Sequence, residues 1–314
     1  MDRHGLPLPE AYRQAGRAAT IGLVINLALG VTKLVGGLVA GSFALVADAV
    51  NSIGDSVGSV VVLVALRIAR RPADANHPYG HARAEAVAAS NVALLVIISA
   101  LLLGVEALRR IGKMHDAPPS WALAIAASNV VIKEALYRYK LRVARRTGSA
   151  AMLANAWDHR ADALSSLAVL VGLAAIALGG EEWIWADEVA ALFVVVMILV
   201  GAVPLFRNSA RDLLDAQAEP EFVQSVRECA GKTAGVLGVE KLWIRKSGLE
   251  YLAEIHVEVA PDRTVSDGHR IGHDVQDVLQ ARFPRLRHVL VHLEPHGGDS
   301  ASLPGNAPQN PPQR

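Results

Sequence analysis

The stretch NAWDHRAD (155–162) runs straight into ALSSLAVLVGLAAIALGG (163–180). The second part is as apolar as a lipid-spanning helix needs to be. The first part sets Asp158, His159, Arg160 and Asp162 at its mouth. An ionisable group inside a bilayer is expensive unless it is paired, hydrated or used, so an intramembrane carboxylate is read as functional by default. Asp158 and Asp162 stand four residues apart, which puts both on one face of a helix.

The composition fits a membrane protein with a soluble appendage. Of 314 residues, 52% are hydrophobic and 19% charged, against about 25% charged in an ordinary soluble domain. The shortfall is concentrated in residues 15–206, which are dominated by Ala, Val, Leu, Ile and Gly, whereas 207–297 have the composition of a water-exposed domain. A polar N-terminal arm (1–14) precedes the apolar region. A tail rich in Pro, Gly, Ser, Asn and Gln (298–314) follows the soluble part and is expected to be disordered. With a formal net charge of +1, no basic face marks a nucleic-acid partner. The single Cys229 excludes an intramolecular disulfide and a cysteine zinc site. The start, MDRHGLPLPEAYRQ, is polar and the first apolar run is too long for a cleavable signal, so that run is expected to act as an uncleaved anchor.

Six spans are expected at about 15–39, 43–68, 84–108, 119–141, 152–178 and 184–206. Helix is the open-chain option in lipid, because every backbone polar group must be satisfied within the segment. Lys and Arg in the short connections set the orientation. Arg3, Arg13 and Arg17 lie before the first span, Arg67, Arg70, Arg71 and Arg83 between the second and third, and Lys140, Arg142, Arg145 and Arg146 between the fourth and fifth. All three groups fall on one side, which is therefore cytoplasmic together with both termini. Arg109, Arg110 and Lys113 dissent more weakly.

Residues 207–297 alternate between helical and strand periodicities. PEFVQSVRECAGK is helical, GVLGVEKLWIRKSG and LEYLAEIHVEVA read as a hairpin, VSDGHRIGHDVQDVLQARFP as an amphipathic helix and HVLVHLEP as a last strand. That order implies a small α+β domain with a ferredoxin-like half-sheet.

The apolar region contains an internal echo. NSIGDSVGSVVVLVAL (51–66) and DHRADALSSLAVLVGL (158–173), aligned on Asp55 and Asp162, share a polar residue four places earlier and Ser59 or Ser166 four places later. Such echoes in transporters mark a site shared between repeat-like elements; chance likeness of two aliphatic helices is the bland alternative. Asn51 and Asp55 share a face of the second span as Asp158 and Asp162 do of the fifth. Packed side by side, the two spans offer three carboxylates and one amide carbonyl, a cage for a divalent cation. The alternative is that Asp158 caps a helix or meets Arg160; Asp48 is either a cap or a vestibule residue. His159 is expected to be a bystander facing the cytoplasmic vestibule.

ALVADAVNSIGDS, ANAWDHRADALSSLAVLVG and RRPADANHPYGHARAEA, in that order, resemble the cation diffusion facilitator family over about residues 15–297. The resemblance implies a transport site made of Asn51, Asp55, Asp158 and Asp162. Zinc-type members place His at the first position of one or both pairs, where this chain has Asn and Asp. All-oxygen sites suit harder ions, so Mn2+ is expected as substrate, with Fe2+ second and Zn2+ third. The resemblance also implies a loop site at Asp74, His77 and His81, although loop histidines are often merely solvated. A cytoplasmic site is implied at His256, His269, His292 and Glu294, with Glu240 where a His is common; buried, hydrogen-bonded histidines are the other reading. On the residues alone, His256 and His292 belong to adjacent strands and His269 to the covering helix. The family further implies homodimerisation through the cytoplasmic domain and a structural charge pair, Arg83 with Asp215.

The expected activity is proton-coupled efflux of a divalent cation, with no other cofactor, from a protein embedded in lipid, in the cell inner membrane. No G-x-x-x-x-G-K-[ST] is present, so ATP is not the expected energy source. Metal binding needs deprotonated ligands, so protons and metal compete. Motif content bears on two other functional classes. A membrane metalloenzyme wants an H-E-x-x-H motif, which the apolar half lacks. A non-transporting metal sensor or scaffold would be favoured by an incomplete oxygen set, and here the set is complete.

Overall fold

Six long helices come first in the chain: α1 (Leu8–Val39), α2 (Phe43–Ala69), α3 (Ala84–Arg110), α4 (Ser120–Thr147), α5 (Ala150–Gly179) and α6 (Trp185–Leu213). This computed structural model describes residues 7–39, 43–110, 120–179 and 185–297. The side chains of some residues within α1 to α6, among them Asp48, Asn51, Asp55 and Ser166, lie outside the described residues. So do the first six residues, Lys113 and the tail from 298.

The helices coincide with the expected spans at most of their ends and outrun them at three. The N-terminal arm expected at 1–14 is helical from Leu8, with Ala11 and Tyr12 buried. α4 continues six residues past 141 and α6 seven past 206, because charged residues end an apolar stretch without ending a helix. Among the described residues, Leu8–Thr32, Ala84–Glu106 and Leu192–Leu213 are long and apolar enough to cross a membrane, and Ser56–Ala69 is a shorter apolar stretch of α2.

The chain forms two compact units, Met1–Ala216 with Ser247–Leu249, and Gln217–Lys246 with Glu250–Arg314. In the first, α1 packs on α2, α3 on α6 and α4 on α5, while α5 also touches α2, α3 and α6. The contact surfaces are built of small residues. One core joins Ala11, Ala15 and Ala18 to Val62 and Ala65, Ala88 and Ala89, and Ala151 and Ala154; a second joins Val96 and Ala100 to Val195, Ile198 and Ala202. Small side chains let backbones approach where lipid offers no hydrophobic drive between helices. Larger ones face outward: Val24, Val31 and Val35 on α1, Leu94, Ile98 and Leu101 on α3, and Phe193, Val196 and Val200 on α6 are exposed. A band of that kind suits contact with lipid.

The α4–α5 connection is two residues long, and each has a task. Gly148 adopts φ 71°, the left-handed conformation that closes a helix, and its N–H donates to Ala144 O over 2.8 Å. Ser149 then caps α5, its Oγ accepting from Met152 N–H at 3.1 Å while its hydroxyl donates to the buried Glu85 of α3.

The second unit runs α7 (Pro220–Gly231), β1 (Gly238–Ser247), β2 (Glu250–Val259), α8 (Val265–Arg282) and β3 (Leu286–Pro295). This is the α-β-β-α-β order expected. The sheet order is β1-β2-β3, with β3 parallel to β2 and His256 opposite His292. A parallel neighbour requires a crossover, which α8 supplies. Thr264 caps α8, accepting from Asp267 N–H at 3.1 Å. Ile271, Val275 and Leu279 of α8 and Val226 and Ala230 of α7 pack on Ala253, Ile255, Val257 and Val289. Among the described residues of this unit, the helices cover one face of the sheet and leave the other open.

Candidate metal centre

α5 carries the acidic pair towards two neighbours. Asp158 and Asp162, both partly exposed, offer ligand atoms that lie, with those of His159, within 4.8 Å of one another. Because α5 begins at Ala150, Asp158 sits two turns inside the helix and does not cap it. Arg160 is committed elsewhere: it donates to Glu134 and lies 4.9 Å above the Tyr137 ring, both on α4. Likewise α2 begins at Phe43, so Asp48 lies inside a helix and is no cap.

α2 reaches α5 beside this pair. The Ser59 hydroxyl stands 3.4 Å from both Oδ1 and Nδ2 of the buried Asn155. A Cβ added at Gly58 would stand 3.5 Å from Oδ2 of Asp158 and 3.7 Å from Nδ2 of Asn155. Asn51 and Asp55 lie on the same helix, N-terminal to that contact.

α4 supplies what the sequence reading missed. Asn129, Lys133, Leu136, Lys140, Ala144 and Thr147 form its buried stripe, at the three- and four-residue steps of one helix face. Lys133 Nζ donates to Oδ2 of Asp162 over 2.7 Å, with the lysine side chain 1% exposed. Lys140 Nζ lies 2.5 Å from Asn155 Oδ1, 2.6 Å from His159 Nε2 and 3.4 Å from Ser59 Oγ. An ammonium has three donors and no acceptor, so these three acceptors satisfy it and His159 accepts at Nε2 as a neutral ring. Lys140 is thus a buried bolt between α4, α5 and α2, not the cytoplasmic loop charge expected. His159 is fully buried against it, not turned to a vestibule, and its Nδ1 has no hydrogen-bond partner among the described residues. On α1, a Cβ at Gly22 would run into the end of the Lys140 side chain; bare backbone there leaves the ammonium its room. The available signal was two lysines seven residues apart on the stripe that also holds Leu136 and Ala144, inside a span.

The expected loop triad is brought together. Asp74 Oδ1 accepts from the N–H of His77 at 2.7 Å and of Asn76 at 3.0 Å. The His77 ring nitrogen lies 3.3 Å from Oδ1, and that of His81 3.4 Å from Oδ2. The two imidazoles stand 4.3 Å apart, and all three ligand atoms lie within 4.8 Å. The His77 N–H, the largest influence, helps hold the Asp74 carboxyl below the usual carboxylate range. Arg83 pairs with Asp215 as expected; Asp215, at φ 56°, sits in a left-handed turn just past α6.

The cytoplasmic set is brought together in part. His256 Nδ1 lies 2.6 Å from Glu294 Oε1, His292 Nε2 3.8 Å from the same oxygen, and the two imidazoles 4.7 Å apart. Hydrogen bonding from Glu240 first, then from His256, holds the Glu294 carboxyl below its usual range. His269 is not in this group. His256 alternates with the buried Ile255 and Val257, so it points to the open face of the sheet, whereas α8 covers the other. His269 is exposed and stacks edge-on with His273 at 4.5 Å. Trp243, on the open face, meets His256 edge-on at 5.3 Å instead.

Comparison with known proteins points one way. Residues 19–214 match the cation efflux transmembrane domain and residues 218–296 the cation efflux protein cytoplasmic domain. The manganese efflux system protein MneP of Bacillus subtilis is 29% identical over 89% of this chain and 96% of its own. The metal tolerance protein 2 of Oryza sativa is 32% identical over 88% of this chain and 77% of its own. The magnetosome protein MamB of Paramagnetospirillum magneticum is 32% identical over 82% and 87%. Among solved structures, the MamM C-terminal domain is 31% identical over 24% of this chain and 99% of that one, with a TM-score of 0.24.

Proposed function

Since this chain belongs to the cation efflux family, the cation diffusion facilitators, we propose that it exports Mn2+ in exchange for protons through a site on α2 and α5. The family carries metal cations across membranes and is not a family of enzymes. The observation that carries the reading is the pair Asp158 and Asp162, two partly exposed carboxylates inside a helical bundle with ligand atoms within 4.8 Å. Asn51 and Asp55, on the helix that meets α5 at Ser59 and Asn155, complete the donor set. Oxygen donors alone favour Mn2+ over Zn2+, and the likeness to a manganese efflux protein agrees. Fe2+ and Zn2+ are the next substrates in that order.

Protons compete with the metal for the same oxygens, and crowded carboxylates resist ionising together. A site facing the cytoplasm loads metal and releases protons; facing outward, it takes protons and releases metal. The protein crosses the cell inner membrane six times with both termini cytoplasmic; Arg142, Arg145 and Arg146 still support that orientation once Lys140 is removed from the tally. It works as a homodimer through the cytoplasmic unit. Asp74, His77 and His81 form a second metal site, and His256, His292 and Glu294 a third that regulates.

The test is a pair of uptake profiles for Mn2+, Fe2+, Zn2+ and Co2+ with internal pH recorded. Wild type is expected to prefer Mn2+ and to move protons against it, and Asn51→His to shift preference towards Zn2+. An unchanged profile in Asn51→His places selectivity elsewhere, and metal flux without proton flux removes the antiport.

A further inference from the structure

Lys133 lies 1% exposed on the buried stripe of α4, and its ammonium donates to Oδ2 of Asp162 at 2.7 Å. We propose that Lys133 is the tethered counter-cation of the transport site: it holds Asp162 when no metal does, and each arriving divalent ion must displace it. The inference rests on the reading of Asp162 as a transport ligand.

Two cations cannot share that oxygen at low cost. A metal bound to Asp162 and an ammonium within hydrogen-bonding distance of the same carboxylate would stand only about 4–5 Å apart, and poorly screened like charges at that separation repel strongly. The ammonium must therefore move off Asp162 as the metal arrives. Its stem is buried, so it cannot leave the bundle; a flexible four-carbon chain lets it swing aside and return.

The neighbouring lysine shows the contrast. Lys140, two turns further along the same stripe, is bonded to Asn155, His159 and Ser59. None of these is a carboxylate, and none is in the transport set. Among the described residues, Lys140 fixes α4 to α5 through these bonds, whereas the hydrogen bond of Lys133 goes to a proposed ligand.

This arrangement does two things for a carrier. After release the metal-free site must change its exposure, and any carboxylate that the incoming protons leave ionised is expensive in a low-dielectric interior without a compensating cation. A resident ammonium supplies one. It also weakens metal binding, and a transported ion must be held loosely enough to leave.

The test uses the full-length protein in lipid nanodiscs and Mn2+ as probe. The binding component lost in Asp162→Asn defines the transport site. Lys133→Gln and Lys133→Met are each expected to tighten that component about tenfold or more and to slow Mn2+ turnover in proteoliposomes. Lys133→Arg, which keeps the charge, is expected to stay within about threefold of wild type. A merely structural lysine would give weaker binding when removed, so tighter binding is the discriminating result. Unchanged or weaker binding in Gln and Met variants that melt like wild type overturns the inference and leaves the transport site standing. Asp162→Asn with full Mn2+ binding overturns the transport-site reading itself, and the role of Lys133 with it.

Discussion

Single residues in the bundle interior are governed by how each buried polar group finds partners. Lys140 satisfies Asn155, His159 and Ser59 at once. Lys140→Met leaves Nε2 of His159 without its partner, while Asn155 and Ser59 keep each other, and an orphaned buried group costs about 1–3 kcal/mol. A clear fall in melting temperature is expected, and a variant as stable as wild type would contradict the bolt. Asp74 makes a pH-dependent case. Its folded carboxyl is held low, so its contribution to loop order is full above the unfolded value of about 3.9 and fades as pH falls through the lower folded one. Hydrogen exchange at the Asn76 and His77 amides should stay protected at neutral pH and lose protection below about pH 4; Asp74→Asn should weaken it at neutral pH. Protection that ignores both would remove Asp74 as the organiser. Asp158 and Asp162 stood out in the sequence because charge in an apolar run is expensive, with a cap or an Arg160 pair as the structural alternative for Asp158. The lysines did not, because Lys near a span's end also serves as an orientation signal, and only packing against α1 and α5 tells the two uses apart.

The elements turn on a few local devices. Gly148 ends α4 at a positive φ and Ser149 starts α5, so the pair sets where the α5 carboxylates fall. Gly148→Ala is expected to cost about 1 kcal/mol. Ser149→Ala should cost about 1 kcal/mol for the cap and more for the Glu85 left behind. Chemical denaturation or thermal melts check both, and neutral substitutions would show that the turn is set by the bundle instead. Spans and strands were legible from apolar run length and alternation. Their ends were not where α4 and α6 run on through charged residues. Strand pairing was also illegible: HVLVHLEP reads as a strand, but that it lies parallel beside β2 depends on α8 crossing over. The same limit explains His269. Four residues from His273 on a helix, it could face either way, and Ile271, Val275 and Leu279 decide that both histidines face water.

At the scale of the whole molecule, the chain combines an apolar helical bundle matching the transmembrane domain of the family with an α+β unit matching its cytoplasmic domain. The proposed homodimer predicts that the full chain in detergent elutes with twice the mass of one copy by light scattering; a monomer still able to transport would separate dimerisation from function. The most direct test of the central claim is Mn2+ uptake into inside-out proteoliposomes under an imposed proton gradient, wild type against Asp162→Ala. The account predicts Mn2+-selective uptake that follows the gradient and is abolished in Asp162→Ala, with the variant folded and inserted as before. Uptake that persists in that variant, or a folded wild type that moves no divalent cation, would contradict it.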